Sequence, residues 1–326
     1  METSKKKIAD AKFNLRREEI PPEFHDPFII RGYRKPYLSF KDCLKSSVVF
    51  SCNESFNILS HFFSFLFFIT IFISYFKTEL DITDVKTWPL ALNVIGNIGF
   101  SFMSTTAHTF NSMSIEARHK CFYLDYAAIS IYTYCSGQAT FYYSRALFSE
   151  KEFFKNSYYF NFGAMFISIM STLLNCLSRR KWHSSKYVIR TMAYVIAYVW
   201  NCVPYAYRLM ICNNPLDCNK SGLFLSLLSA LTLLGAGVLN ITKFPERFYP
   251  GKFDCCGQSH NLMHVLVTLG CFFQLEFAKH EMLRGISQGF NYESSLHLTI
   301  FTVFVSLLIA AVVPANDDKD INYKNK

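Results

Sequence analysis

Charge is scarce in this chain. Only 17% of its 326 residues are Asp, Glu, Lys or Arg, against 51% hydrophobic and 17% aromatic residues. A soluble domain rarely carries so much apolar mass with so few ions to solvate it, so the composition argues for a membrane protein. Alternating strands of about ten residues are absent, which excludes a transmembrane barrel. The N-terminal stretch METSKKKIADAKFNLRREEI is polar and has no apolar core. No cleavable signal peptide is therefore expected, and the first membrane helix serves as the insertion signal. There is no internal repeat, no low-complexity tract and no soluble domain of any size, so function must lie inside the membrane or in short loops.

What is present is a set of long apolar runs. Eight lie near 57–76, 89–108, 122–142, 158–177, 188–209, 222–241, 260–278 and 296–315. Each is close to the ~20 residues a helix needs to cross a hydrocarbon core of ~30 Å. The expected fold is an all-α, polytopic transmembrane helical bundle. Residues 1–52 form an N-terminal segment, 53–315 the bundle and 316–326 a polar tail. Within the first segment, 28–52 mixes apolar and basic residues, and part of it is expected to lie on the membrane surface as an interfacial helix.

The net charge of +9 does not point to nucleic acid, because of where it sits. Lys5, Lys6, Lys7, Lys12, Arg16, Arg17, Arg31, Arg34, Lys35, Lys41 and Lys45 all precede the first run, and further cations recur in alternate loops: Arg118 and Lys120, then Arg179, Arg180, Lys181, Lys186 and Arg190, then Lys243, Arg247 and Lys252. The intervening loops carry acids such as Glu79, Asp81, Asp84, Glu150 and Glu152. The positive-inside rule then puts both termini in the cytoplasm, with the basic segment against anionic lipid. Of the 11 cysteines, Cys212 and Cys218 fall in a short loop on the outer side, and they are expected to pair. Asn219-Lys220-Ser221 in the same loop is a glycosylation sequon, too close to the membrane to expect its use. Cys255 and Cys256, next to the seventh helix, are read as free thiols, with palmitoylation as the alternative.

Three of the nine histidines stand where a metal would need them. His260 and His264 are spaced i, i+4, so both project from one face of the seventh helix. His108 ends the second helix, one turn after Ser104, and Asp125 lies one turn into the third. A lone His-x-x-x-His is weak evidence. The alternating topology strengthens it by bringing all three segments to one membrane depth, where ionisable groups are costly unless paired or ligated. Three imidazoles leave a fourth Zn²⁺ position open, the pattern of a catalytic site. Asp125 as base and Ser104 as a hydrogen-bonding group would suit hydrolysis of an amide or ester in a lipid-like substrate. The competing account is a metal that only staples helices together. Asn53, Glu54, Asn57 and His61 read as helix-start hydrogen bonders, with a fourth pole of the metal site as the alternative for His61, and Trp200, Asn201 and Pro204 as packing or a kink beside a cavity. His25, His119, His183, His280 and His297 read as loop or membrane-edge residues.

These residues also carry a family likeness. Ile30-Arg31-Gly32-Tyr33-Arg34 and Asn53-Glu54 with Asn57 and His61 form one motif, and Ser104-x-x-x-His108 with Asp125 forms a second. Pro245-Glu246-Arg247, Pro250-Gly251, Phe253-Asp254 and Ser259-His260-x-x-x-His264 form a third. Jointly they resemble the progestin and adipoQ receptor family, and an eighth helix after the histidine pair resembles its membrane progestin receptor branch. Cys52 and Asn261 depart from the pattern, where His and Gln are usual. The resemblance implies a seven-helix core plus an eighth helix, Zn²⁺ on His108, His260 and His264, and Asp125 and Ser104 beside the metal's water. It implies a plasma-membrane receptor for a steroid or sphingolipid-like ligand, signalling through G proteins, or alternatively a zinc-dependent amidohydrolase of ceramidase type.

Overall fold

A computed structural model describes residues 12–146, 148–182, 184–212, 215, 217–284 and 292–314. Lys5, Lys6, Lys7, His183 and the polar tail 316–326 lie outside the described residues. Eight long helices appear among the described residues: α1 Ser55–Ser74, α2 Trp88–Phe110, α3 Ile115–Ser144, α4 Ser157–Lys181, α5 Lys186–Ile211, α6 Leu223–Thr242, α7 Ser259–Leu283 and α8 Glu293–Val312. They coincide with the eight expected runs. A π turn, Tyr75–Glu79, prolongs α1.

Two helices overrun their apolar cores. Helix α3 begins at Ile115, where the Ser114 hydroxyl caps it by accepting from Ala117 N at 3.0 Å. Arg118, His119 and Lys120, expected in a loop, are thus helical. Helix α4 runs on to Lys181 and takes Arg179, Arg180 and Lys181 into its last turn, where cations suit the negative end of the helix dipole.

Helix α3 is the hub. It packs against α2, α4, α5, α7 and α8, and 20 of its 30 residues are buried, so it shows lipid little of itself. Helix α8 lies against α4 and α3. At Gly137 of α3 an added Cβ would stand 2.3 Å from Asn201 Oδ1. Glycine therefore lets α5 approach closely enough for Asn201 Nδ2 to donate to Thr133 O at 2.8 Å. Pro204 lies within α5, and Trp200 packs on Phe153 and Phe160. Asn201 thus packs α5 on α3 and also lines a cavity.

Five helices, α1, α4, α6, α7 and α8, are long and apolar enough by composition to cross a membrane. Helices α2, α3 and α5 are long enough but more polar. Much of α2 and α3 is turned into the bundle, and α5 turns polar residues such as Tyr187, Arg190, Tyr194 and Asn201 toward the cavity. Residues that never meet lipid need not be apolar.

The N-terminal segment holds more order than the surface helix expected over part of 28–52. It folds into a cap with its own small core of Leu15, Ile20, Phe24, Ile29 and Tyr33. Strands β1 (Leu15–Arg16) and β2 (Arg31–Tyr33) pair antiparallel, with Leu15 opposite Tyr33. Burial raises the Tyr33 phenol above its ordinary pKa. Only a short helix, Phe40–Ser46, resembles the expected element, with Phe40 and Leu44 exposed beside Val48 and Phe50. The cap forms because its backbone finds partners on the bundle. Asp254 accepts from Ile30 N and Arg31 N at 3.3 and 2.9 Å, and Gly32 O accepts from Asn53 N at 2.8 Å. Gly32 has φ +85°, and a Cβ there would meet Cys255 Sγ, Asn53 N and Ser51 O at 3.0–3.2 Å.

The ends of the bundle differ in charge. One end gathers the cap, Arg118, Lys120, Arg179, Lys186, Arg190 and Lys243, tied by contacts such as Lys120 to Val313 O and Arg190 to Ser178. The other carries the Cys212–Cys218 disulfide, as expected, and a fully buried ion pair, Arg208 Nη1 to Glu281 Oε2 at 2.7 Å. Arg284 stands 3.7 Å from the same carboxylate. Glu281→Gln would strand Arg208 without a counter-charge. Breaking such a pair costs about 3–5 kcal/mol, so thermal unfolding in detergent should show a lower midpoint. An unchanged midpoint would mean that the pair is solvated.

Candidate metal centre

The three singled-out imidazoles converge. His260 Nε2 lies 3.2 Å from His108 Nε2 and 3.2 Å from His264 Nε2. One nitrogen from each ring falls within 4.8 Å of the others. His108 and His264 are buried, and His260 is partly so.

Two of the rings are held from behind. His108 Nδ1 meets Glu54 Oε2 at 2.6 Å, and His264 Nδ1 meets the Ser60 hydroxyl at 3.1 Å. Glu54 also accepts from Asn57 Nδ2 at 2.9 Å and Asn111 Nδ2 at 2.6 Å. Burial alone would raise the Glu54 carboxyl, but His108, Arg34 and Asn57 outweigh it and hold it well below the usual carboxylate range. An ionised Glu54 accepts a hydrogen bond from the Nδ1–H of His108 and so leaves a lone pair at Nε2, turned toward the other two rings. A carboxylate orienting a histidine in this way is what a metal-ligating imidazole requires.

The sequence around α7 explains its placement. Glu246 accepts from Ser259 N at 2.7 Å and from the Ser259 hydroxyl, which fixes the first turn of α7. Gln258 Nε2 donates to Asn53 O at 3.1 Å, and Asn261 Nδ2 to Asn57 Oδ1 at 2.6 Å. The Pro-Glu-Arg stretch and the Asn-Glu motif thus register the histidine pair against α1. A hydroxyl ladder, Ser101–Ser64–Thr268, continues the register of α2, α1 and α7 inward.

These donors fit Zn²⁺, which takes imidazole nitrogen in tetrahedral sites. Three Nε2 atoms this close cannot all be satisfied by one another, because His108 has spent its proton on Glu54. A cation between them relieves that conflict.

The triad lines a cavity of about 880 Å³, within the ~300–1,000 Å³ usual for small-ligand sites. Ser104 and Asp125 line the same cavity, and Ser104 stands against Asp125. Asp125 Oδ1 is buried with no hydrogen-bond partner among the described residues. All five sequence-derived site residues are therefore brought together. His61 joins them, its ring centroid 3.9 Å from that of His264. His119 lines the cavity from α3, not from a loop, and His25 lines it from the cap. His280 bonds Ser221 and His297 is exposed, as edge residues should be. Lys243, which caps α6 and lines the cavity, has its pKa pushed down to about 8 by burial, against an opposing pull from Glu246.

Sequence reasoning missed what supports the triad. Glu54 had been read as a helix-start residue, although an acid before an otherwise apolar helix was itself a signal. For Arg34 the sequence marks a cation within the first motif but not the donor role it has here. It is buried, and it donates to His108 O at 2.6 Å, Thr109 O at 2.9 Å, Ser46 Oγ at 2.9 Å and Asn111 Oδ1 at 2.5 Å. It closes the C-terminal carbonyls of α2 and pins the cap there.

Residues 51–275 match the family model described as Haemolysin-III related. The chain is 32% identical to membrane progestin receptor gamma of Homo sapiens, with 89% of each chain covered. It is 32% identical to membrane progestin receptor delta of Mus musculus, covering 82% of this chain and 78% of that one. With membrane progestin receptor alpha of Homo sapiens it shares 24% identity over 96% of this chain and 91% of that one.

Arg34→Met should release the cap, because it leaves the last carbonyls of α2 without a donor. A loss on the order of 3 kcal/mol is expected for several charge-assisted hydrogen bonds. Limited proteolysis should then cut within residues 12–52 faster than in the unaltered protein. Equal cutting rates would show that the cap is held elsewhere.

Proposed function

This chain belongs to the Haemolysin-III related family, and from that premise we propose that it is a cell-surface receptor for a progestin-like steroid. In this reading Zn²⁺ is held by His108, His260 and His264 within the bundle. The basic end, with the N-terminus, faces the cytoplasm, where it meets anionic lipid and G proteins. One observation carries the reading. The cavity that could hold a steroid ends on the imidazoles that join α2 to α7, so an occupant touches the side chains that set the packing of the bundle. The ligand class is supported by the relatives, which are named as progestin receptors along most of their length.

When bound, Zn²⁺ supplies Lewis acidity at an open fourth coordination position. Glu54 and Ser60 orient the imidazoles of His108 and His264. A second reading, a lipid amidohydrolase of ceramidase type, is favoured by the buried Oδ1 of Asp125. That atom is an unoccupied proton acceptor facing the cavity beside Ser104.

Purified protein should carry about one Zn²⁺ per chain. His264→Ala should lose most of it. Glu54→Gln should keep the site but weaken metal affinity about 10–100-fold, the usual effect of removing a carboxylate behind a ligating histidine. Elemental analysis with chelator titration measures both, and full zinc content in His264→Ala would refute the assignment.

Receptor and hydrolase separate at Asp125. For the receptor, the protein binds a progestin-like steroid, ceramide hydrolysis stays undetectable, and Asp125→Asn chiefly lowers stability. A hydrolase would cleave ceramide and lose roughly 10²–10⁴-fold in turnover on Asp125→Asn with zinc retained. Product formation is the deciding readout, since an amidase also binds its lipid.

A further inference from the structure

The same cavity has a second chemically distinct end. Four helix termini deliver five cations to its lining: Arg118 from the start of α3, Arg179 from the end of α4, Lys186 and Arg190 from the start of α5, and Lys243 capping α6. Five carboxylates line the cavity too, but among the described residues only one of them bonds one of these cations. Asp26 of the cap pairs with Arg118 at 3.4 Å, Glu54 is taken by His108 and Asn111, Glu246 by Ser259, and Asp125 stands against Ser104. Glu23 also lines the cavity but is exposed.

The remaining cations rest on neutral groups. Arg179 reaches the Tyr126 hydroxyl at 3.3 Å and lies 4.1 Å over the Phe122 ring. Arg190 donates Nε to Ser178 at 2.9 Å and stacks over Tyr126 at 5.0 Å. Lys243 lies 3.7 Å over Tyr187, and Lys186 5.2 Å over the same ring. Arg179 Nε and Arg190 Nη2 are buried without a hydrogen-bond partner among the described residues. Donors buried in this way are costly unless something accepts from them. Further along, the lining turns apolar through Ile129, Val195, Leu233 and Val267.

A neutral steroid leaves these cations uncompensated, and a carboxylate's two oxygens are matched by a single arginine fork. Three arginines from three helices suit a head group with three terminal oxygens. We infer that the cavity takes an amphiphile bearing a sulfate or phosphate head, with the head among Arg118, Arg179, Arg190, Lys186 and Lys243 and the apolar body between α3, α5, α6 and α7. This rests on the reading of the cavity as the ligand site and narrows its ligand class.

The test uses the full-length protein in nanodiscs of neutral lipid. The probes are a steroid 3-sulfate and its free 3-alcohol, a single-chain lipid phosphate monoester and its alcohol, and inorganic phosphate and sulfate alone. Each anionic amphiphile that fits should bind at least tenfold more tightly than its alcohol, with the advantage shrinking as salt rises. In the double variant Arg179→Gln, Arg190→Gln that advantage should fall about tenfold, while the alcohol's affinity changes less than twofold. Lys186→Gln carries the same comparison if the double variant does not fold, and Lys252→Gln, outside the cavity, should change nothing. Preference for the lipid phosphate over the steroid sulfate supports the head-group assignment and makes the body an acyl chain. Equal binding of anion and alcohol, or an advantage that survives the variants, overturns this inference and leaves the steroid site standing. Inorganic anions competing as well as the amphiphiles overturn it in favour of a free-anion site. Failure of every amphiphile to bind overturns both readings.

Discussion

A single buried carboxylate, Glu54, holds together the end of the bundle where the chemistry sits. It is ionised and out of water, a state that proteins sustain only with several close partners. Its partners are His108 and Asn111 of the α2 end and Asn57 of α1. Asn111 in turn accepts from Arg34, which brings in the cap, and Asn57 accepts from Asn261, which brings in α7. Three helices and the N-terminal segment are thus registered through one side chain. The imidazole triad inherits its geometry from that network, since His108 is aimed by Glu54 itself and α7 is set by Asn57, Asn53 and Glu246.

The bundle as a whole inverts the usual sorting of polarity. Helix α6 buries only Ser229 and Ala236 and gives the rest of its surface to partial or full exposure, which lipid can cover. Helix α3, at the centre, carries Arg118, Asp125, Gln138 and six tyrosines, and it satisfies many of them internally. Gln138 bonds Tyr134, Thr299 and Tyr292, and Tyr132 bonds Gln274. Apolar composition therefore marks the helices that face outward and understates those that build the interior. That is the physical reason only five of the eight long helices pass a test of mean hydropathy.

The same sorting explains what could be read in the sequence. The outward helices α1, α6 and α8 were legible as apolar runs, and the five site residues were legible because ionisable side chains are conspicuous in such surroundings. The start of α3 was not, because Arg118, His119 and Lys120 look like a loop until Phe122, Arg179 and Asp26 are seen around them. The cap was misread for a related reason. Its order depends on Asp254 and Arg34 meeting backbone more than 70 residues away, and no local periodicity encodes such contacts. The role of Glu54 was hidden likewise, since its partner His108 lies 54 residues on.

Under the proposed reading, ligand and partner would be linked by a constraint that the cavity satisfies. An occupant shifts a conformational equilibrium only as far as it contacts the two states differently. The cavity reaches from the triad, buried between α1, α2 and α7, to Pro22, His25 and Asp26 of the cap. Asp26 is paired with Arg118, so anything that draws Arg118 toward an occupant draws it from the cap. Displacement of that pair is a differential contact at the surface that a partner would meet, whereas the triad, fixed by Glu54 and Glu246, offers no comparable slack. Sensitivity to an occupant is therefore concentrated at the basic end, and rigidity at the histidine end.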